Sequence, residues 1–223
     1  MIIFYVVLIN LSFLLFGYLF GSANTSVILS KYWKKNDVRD HFSQNGGATN
    51  SLRVFGKKFA LIVLLIDVAK TFSSVYLCFL ISALIPWKNT YTFLPLLAGL
   101  GCILGHIWPV FFKFKGGKGV ACTIGFIIAI DILLLPIGAL IFLGIYFKTK
   151  YVSLASIVSG IFMILYVGAF AYLLTDFGTQ FTNWYSPWYS SLLIYLVVAF
   201  LIVFMHRTNI QRLINGKESK TSI

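Results

Sequence analysis

Residues 119–147 read GVACTIGFIIAIDILLLPIGALIFLGIYF, an apolar run with a carboxylate, Asp131, and a helix breaker, Pro136, near its middle. A charge inside a bilayer is expensive, and proline in a helix interior removes a hydrogen bond and clashes with the preceding turn. The run therefore reads as two helices. They are short, about 13 and 16 residues, or roughly 20 and 24 Å at 1.5 Å per residue. Each must begin within the loops or thin the bilayer locally.

Whether that run crosses once or twice decides the topology. The other long apolar runs lie at roughly 4–30, 59–86, 93–112, 153–174 and 190–205, against about 20 apolar residues per crossing. Counting 119–147 once gives six crossings and returns the tail to the side of the N-terminus. Yet the tail carries Arg207, Arg212, Lys217 and Lys220, while residues 1–30 carry no basic residue. Splitting the run into 119–131 and 132–147 gives seven crossings. The segments 31–58, 113–118, 148–152 and 206–223 then share one face and hold 7, 3, 2 and 4 Lys and Arg, leaving only Lys70 and Lys88 elsewhere. By the positive-inside rule that face is cytoplasmic. The predicted fold is a single all-α integral membrane domain over 1–223 with seven transmembrane helices. Its N-terminus is outside, its C-terminus is cytoplasmic, and its cytoplasmic loops form the active site.

Composition agrees. Hydrophobic residues make up 59% of the 223 and charged residues 11%, with a mean hydropathy of +0.90, whereas a globular domain carries about a quarter charged residues. The first apolar run has no basic n-region and exceeds a signal h-region in length, so it reads as a retained helix. The net charge of +12 reads two ways, as positive-inside bias or as provision for anionic substrates or lipids. Cys78, Cys102 and Cys122 lie in apolar segments without CxxC spacing, which indicates neither a disulfide framework nor a zinc site. On the outer side, Trp184, Tyr185, Trp188 and Tyr189 read as an interfacial aromatic belt.

Four cytoplasmic segments carry chemistry. In HFSQNGGATNSLRVFGKK (41–58), Ser43, Asn45, Gly46, Gly47, Thr49 and Asn50 present small backbone, hydroxyl and amide groups ahead of Arg53. Such a stretch can wrap a phosphate, or be a plain polar turn. In GHIWPVFFKFKGGKGVACTIG (105–125), Gly116 and Gly117 admit an anion to the backbone, Lys118 supplies charge, and a helix opens at Gly119. The P-loop spacing is absent, and a basic turn is the alternative. KYVSLASI (150–157) places Ser153 and Ser156 on one face at a helix start, where Ser153 could equally be an N-cap. In MHRTNIQRLINGKES (205–219), His206, Asn209 and Arg212 repeat at helical spacing, as catalytic groups or as a basic lipid anchor.

Within the second crossing Asp67 and Lys70 stand three apart and can form a structural ion pair lining the site. Neither His41 nor His106 has metal-ligand spacing. With only six acidic residues, a metal-dependent reaction is not expected.

Taken in order, NGGATN with Arg53, Asp67 with Lys70, GHIWPVFFKFKGGKGVA, KYVSLASI, and HRTNIQRL with NGKE resemble the acyl-phosphate-dependent glycerol-3-phosphate acyltransferase family (PlsY type) from residue 21 to 218. The resemblance implies transfer of a fatty acyl group from acyl phosphate to glycerol 3-phosphate, giving lysophosphatidate and phosphate at a bacterial cell membrane. It implies no cofactor, no metal and no nucleic acid; the partners are the two substrates and membrane lipids. By motif position it assigns Ser43, Asn45, Gly47 and Arg53, with Gly116, Gly117 and Gly119, to substrate binding. Lys118, Ser153, His206 and Asn209 fall to catalysis, and Asp67, Lys70 and Glu218 to structure. The family pattern has glycine where Gln44 stands, and a Cβ there restricts φ. Two alternatives are a small-anion transporter, which would spread polar pairs through the membrane midplane, and an acyltransferase with another donor or acceptor. The gathering of motifs at one face favours an enzyme.

Overall fold

The computed structural model describes residues 2–86, 92–173 and 189–221, with 170–173 described by backbone alone. Lys88, Trp184, Tyr185 and Trp188 lie outside the described residues; Tyr189 opens a helix and is half exposed. Among the described residues all regular structure is helical: α1 (Ile2–Ser22), α2 (Thr25–Lys34), α3 (Ala48–Phe55), α4 (Lys57–Ala83), α5 (Leu96–Ile107), α6 (Val120–Ile130), α7 (Leu134–Thr149), α8 (Val152–Leu173), α9 (Tyr189–Met205) and α10 (Arg207–Ile214). The three cysteines are free and buried.

The apolar run at 119–147 is two helices, and the break falls at Asp131. There the backbone is extended and the carboxylate accepts the Leu133 N–H at 2.8 Å, opening α7. Pro136 does not make the break; it sits in the first turn of α7, where its missing N–H would have no helical partner. The expected single helix over 4–30 needs correction. It is interrupted at Ala23 and Asn24, where the Asn24 side chain accepts the Val27 N–H at 3.1 Å and caps α2.

Three helical stretches, Ile2–Lys34, Lys57–Ala83 and Val152–Ala169, are each long and apolar enough to cross a bilayer. The pair α9 and α10 reaches that length only when counted as one span across its 53° bend. Leu96–Phe112, α6 and α7 are shorter apolar helices.

α1 and α5 pack backbone to backbone. A Cβ on Gly17 or Gly21 would stand 1.9 or 2.0 Å from the carbonyl oxygens of Ala98 or Cys102. One on Gly101 or Gly105 would stand 2.1 or 2.0 Å from those of Leu14 or Tyr18. Small residues four apart on both helices permit this approach in lipid, where van der Waals packing drives association. The seam brings the end of α5, with His106, against the junction of α1 and α2. Beside it, Phe126 of α6 and Tyr195 of α9 join Ile103 of α5 in the main core.

Candidate active site

The floor of the site is a buried polar cluster. Asp67 on α4 accepts from Thr25 and pairs with Lys70, each at 2.7 Å, and His106 Nδ1 lies 3.6 Å from the same oxygen. Lys70 also donates to the carbonyls of Gly21 and Ala23, at 3.4 Å each, satisfying acceptors left free where α1 ends. Asp67, His106 and Cys122 place donor atoms within 4.8 Å of one another, a spacing that could hold a metal ion. The Lys70 ammonium already occupies the cation position, 2.7 Å from Asp67 and 3.3 Å from His106.

Two loops lie over this floor and are stitched together. Gly46 N–H donates to the Gly116 carbonyl at 2.9 Å, and Gly117 N–H to the His106 carbonyl at 3.0 Å. The Asn24 side chain donates to the Gly46 carbonyl at 3.0 Å. A Cβ on Gly116 would stand 2.0 Å from the His106 carbonyl oxygen, and one on Gly117 2.2 Å from the His106 ring. These glycines are thus required by the protein's own close packing. Gly119, at φ 84°, needs glycine for its backbone conformation as it leads into α6.

The first loop closes on Asn50, which donates to the carbonyls of Val38 and His41 and accepts from Ser43 N–H. Gly47 precedes α3 without a side-chain cap, so the first amides of α3 remain available to an anion. Gln44 holds φ 56° in the left-handed region. Arg53 donates to Thr221 at 3.2 Å.

The fourth wall is a relay. Lys118 donates to the Asn209 side-chain oxygen, and Asn209 donates to Glu218 at 2.6 Å. Glu218 also accepts from Ser153 at 2.8 Å and Arg212 at 2.7 Å. Ser153 is the second residue of α8 and so lies inside the helix rather than at its N-cap. Burial alone would raise the Glu218 carboxyl, but the hydrogen bonds from Arg212, Asn209 and Ser153 outweigh it and hold the group below its ordinary value. Burial, with Arg212 and Arg53 nearby, pushes Lys118 down to about 8 against the pull of Glu218.

His206 links α9 to α10. Its Nδ1 lies 2.8 Å from the Ile202 carbonyl, and a carbonyl can only accept, so Nδ1 carries the proton and Nε2 keeps its lone pair. Burial, and then the Lys118 ammonium, pushes the imidazole down to about 4, so it is neutral at physiological pH.

A cavity of about 600 Å³ joins these parts. Ser43, Asn45, Gly47, Arg53, Lys118, Gly119, Ser153, His206, Asn209 and Glu218 all line it, and so does Asp67 from below. Gly116, Gly117 and Lys70 stand behind the wall. From the polar end the cavity continues between α6, α7, α8 and α9 to Leu134, Met163 and Tyr195. Along its flank Leu61 of α4 and Leu143 of α7 are 54% and 42% exposed, so the trench opens toward lipid. Asn24, His106 and Thr221 carry structural duties that the sequence reading did not assign; the polar interruption SANTS after the first apolar run is the signal for Asn24.

A helical bundle with a cationic, hydroxyl-rich pocket opening into an apolar trench is the architecture of a membrane-embedded enzyme rather than of a soluble domain. The family model described as glycerol-3-phosphate acyltransferase matches residues 11–216. A glycerol-3-phosphate acyltransferase of Mycoplasmopsis synoviae is 41% identical over 98% of this chain and 97% of that protein, and one of Mycoplasmopsis agalactiae is 44% identical over 99% and 98%. The crystal structure of PlsY (YgiH), an integral membrane glycerol 3-phosphate acyltransferase, superposes in its glycerol 3-phosphate form with a TM-score of 0.76, at 34% identity over 96% of each chain. Its lysophosphatidic acid form gives 0.74 at 33% identity, over 96% of this chain and 95% of that one. The chain belongs to the PlsY-type glycerol-3-phosphate acyltransferase family, a family of integral membrane transferases for which glycerol 3-phosphate is a substrate.

Proposed function

We propose that this protein transfers a fatty acyl group from acyl phosphate to glycerol 3-phosphate, releasing 1-acyl-glycerol 3-phosphate and phosphate, the first acylation of phospholipid synthesis. The observation that carries the reading is one cavity with Arg53, Lys118 and helix-start amides at its polar end and an apolar trench below. A phosphate-headed acyl donor fits that division, with its tail among Ile127, Leu134 and Met163.

In this reading the glycerol 3-phosphate hydroxyl attacks the acyl carbonyl. The new C–O ester bond forms, the bond from that carbon to the phosphoryl oxygen breaks, and phosphate leaves with the electron pair. The hydroxyl proton passes to His206 Nε2 or to an oxygen of the acyl phosphate. Lys118 and Arg53 stabilise the developing negative charge, fixed in place before the reaction begins. The Asn209–Glu218–Ser153 relay aims Lys118, and Gly47 with Ser43 and Asn45 frames the phosphates.

The chain crosses the bacterial cell membrane seven times in this reading, with its N-terminus outside and the site facing the cytoplasm, where the basic segments gather. The decisive experiment follows phosphate release from purified protein given acyl phosphate and glycerol 3-phosphate, with acyl-CoA as control. Release dependent on both acyl phosphate and glycerol 3-phosphate is expected. Turnover with acyl-CoA alone overturns the donor assignment.

A further inference from the structure

Glycine inside a helix is destabilising relative to alanine unless close packing requires it. The seam glycines 17, 21, 101 and 105 have that reason; two others that line the cavity do not. A Cβ on Gly160 of α8 would meet only Ile202, at 3.7 Å, and one on Gly138 of α7 would meet only Met163, at 3.4 Å or beyond. Both are ordinary contact distances, so the protein's own packing would accept alanine at either position.

Both glycines line the deep, apolar part of the cavity. Gly160 is seven residues beyond Ser153 on α8, about 10 Å along the helix axis, a length that an extended acyl chain covers in roughly eight methylenes. Just below, Met163 is buried and Tyr195 is fixed by its hydroxyl, which donates to the Gly160 carbonyl at 3.1 Å. Methionine is unbranched and adaptable, so Met163 can shift beside a guest chain while Tyr195 holds the floor.

We propose that Gly138 and Gly160 set the length of acyl chain accepted: the volume left by their missing side chains admits the distal methylenes, and Met163 and Tyr195 end the trench. The proposal rests on the acyl-phosphate reading. It concerns which donor is used, not the chemistry at the polar end.

The test offers purified protein an equimolar mixture of decanoyl and hexadecanoyl phosphate with glycerol 3-phosphate, and the two lysophosphatidates are quantified. Gly160→Leu is expected to shift the product ratio toward the decanoyl species by about tenfold or more. Gly160→Ala and Gly138→Ala, which fit the backbone and keep the fold, shift it the same way by a smaller factor. A ratio unchanged in all three variants overturns the gauge, as does an equal loss of both products. Wild-type protein that uses neither donor overturns the acyl-phosphate reading and the gauge with it, whereas wild-type turnover with an unmoved ratio overturns the gauge alone.

Discussion

Lys118 and Asn209, 91 residues apart in sequence, are joined by a hydrogen bond from the ammonium to the amide oxygen, and Glu218 grips the other side of the same amide. Lysine is a point charge on a flexible stem, so its value to a reaction depends on what aims it. Lys118→Ala should lower kcat/KM by about 10² to 10³, the usual cost of one charge-stabilising donor. Asn209→Ala, which leaves the charge but frees its stem, should cost less, about tenfold to a hundredfold on the same scale. Steady-state kinetics on both variants check the order; an Asn209 loss equal to or larger than that of Lys118 would contradict it.

The pH profile should report the same lysine. Lys118 is pushed down to about 8 and must be protonated to stabilise negative charge. Its contribution is fully present below that value and lost as pH rises through it. For free enzyme, kcat/KM should fall above about pH 8, and Lys118→Arg, charged throughout, should abolish that fall. If His206 accepts the proton it must be neutral, and its depressed value keeps it so down to about pH 4. A pH-rate series on wild type and Lys118→Arg separates the two limbs.

Gln44 stands at φ 56° with a side chain attached. A left-handed conformation costs a non-glycine residue roughly 1–2 kcal/mol, partly offset by the greater unfolded-state freedom of glycine. Gln44→Gly should therefore stabilise the protein by up to about 1 kcal/mol, raising Tm by about 2–4 °C for a chain of this size. Thermal unfolding in detergent measures it.

Gly105→Ala should be badly tolerated, because its Cβ would lie 2.0 Å from the Tyr18 carbonyl oxygen. Overpacking of this kind costs about 1–3 kcal/mol or more. Gly144→Ala is the control, since a Cβ there meets nothing within 4 Å. Monodisperse yield and Tm should drop for the first and hold for the second.

Much of the architecture was readable from local chemistry. A carboxylate in an apolar run costs too much to ignore, so Asp131 marked the break between α6 and α7. Pro136 pointed to the same region for a different reason and proved harmless in a first turn. The interruption at Asn24 escaped because a twenty-residue hydropathy window averages over two residues. What Asn24 does depends on Gly46, 22 residues away, and spacing along one helix says nothing of such a partner. Asp67 and Lys70 were legible as a pair three apart, but His106 enters their cluster from another helix. Ser153, Asn209 and Glu218 each stood out within their own motifs, while the convergence of Ser153 and Asn209 on the Glu218 carboxylate arises only from how α8, α10 and the segment after α10 meet.

The bond from Arg53 to Thr221 spans 168 residues. During synthesis, then, the pocket stays incomplete until residue 221 has left the ribosome and folded back. A nascent chain already threaded into the membrane cannot hold its arginine in place or anchor Lys118 through Glu218. Assembly of the pocket is thereby tied to the last segment to be made, the one that carries Glu218 and Thr221.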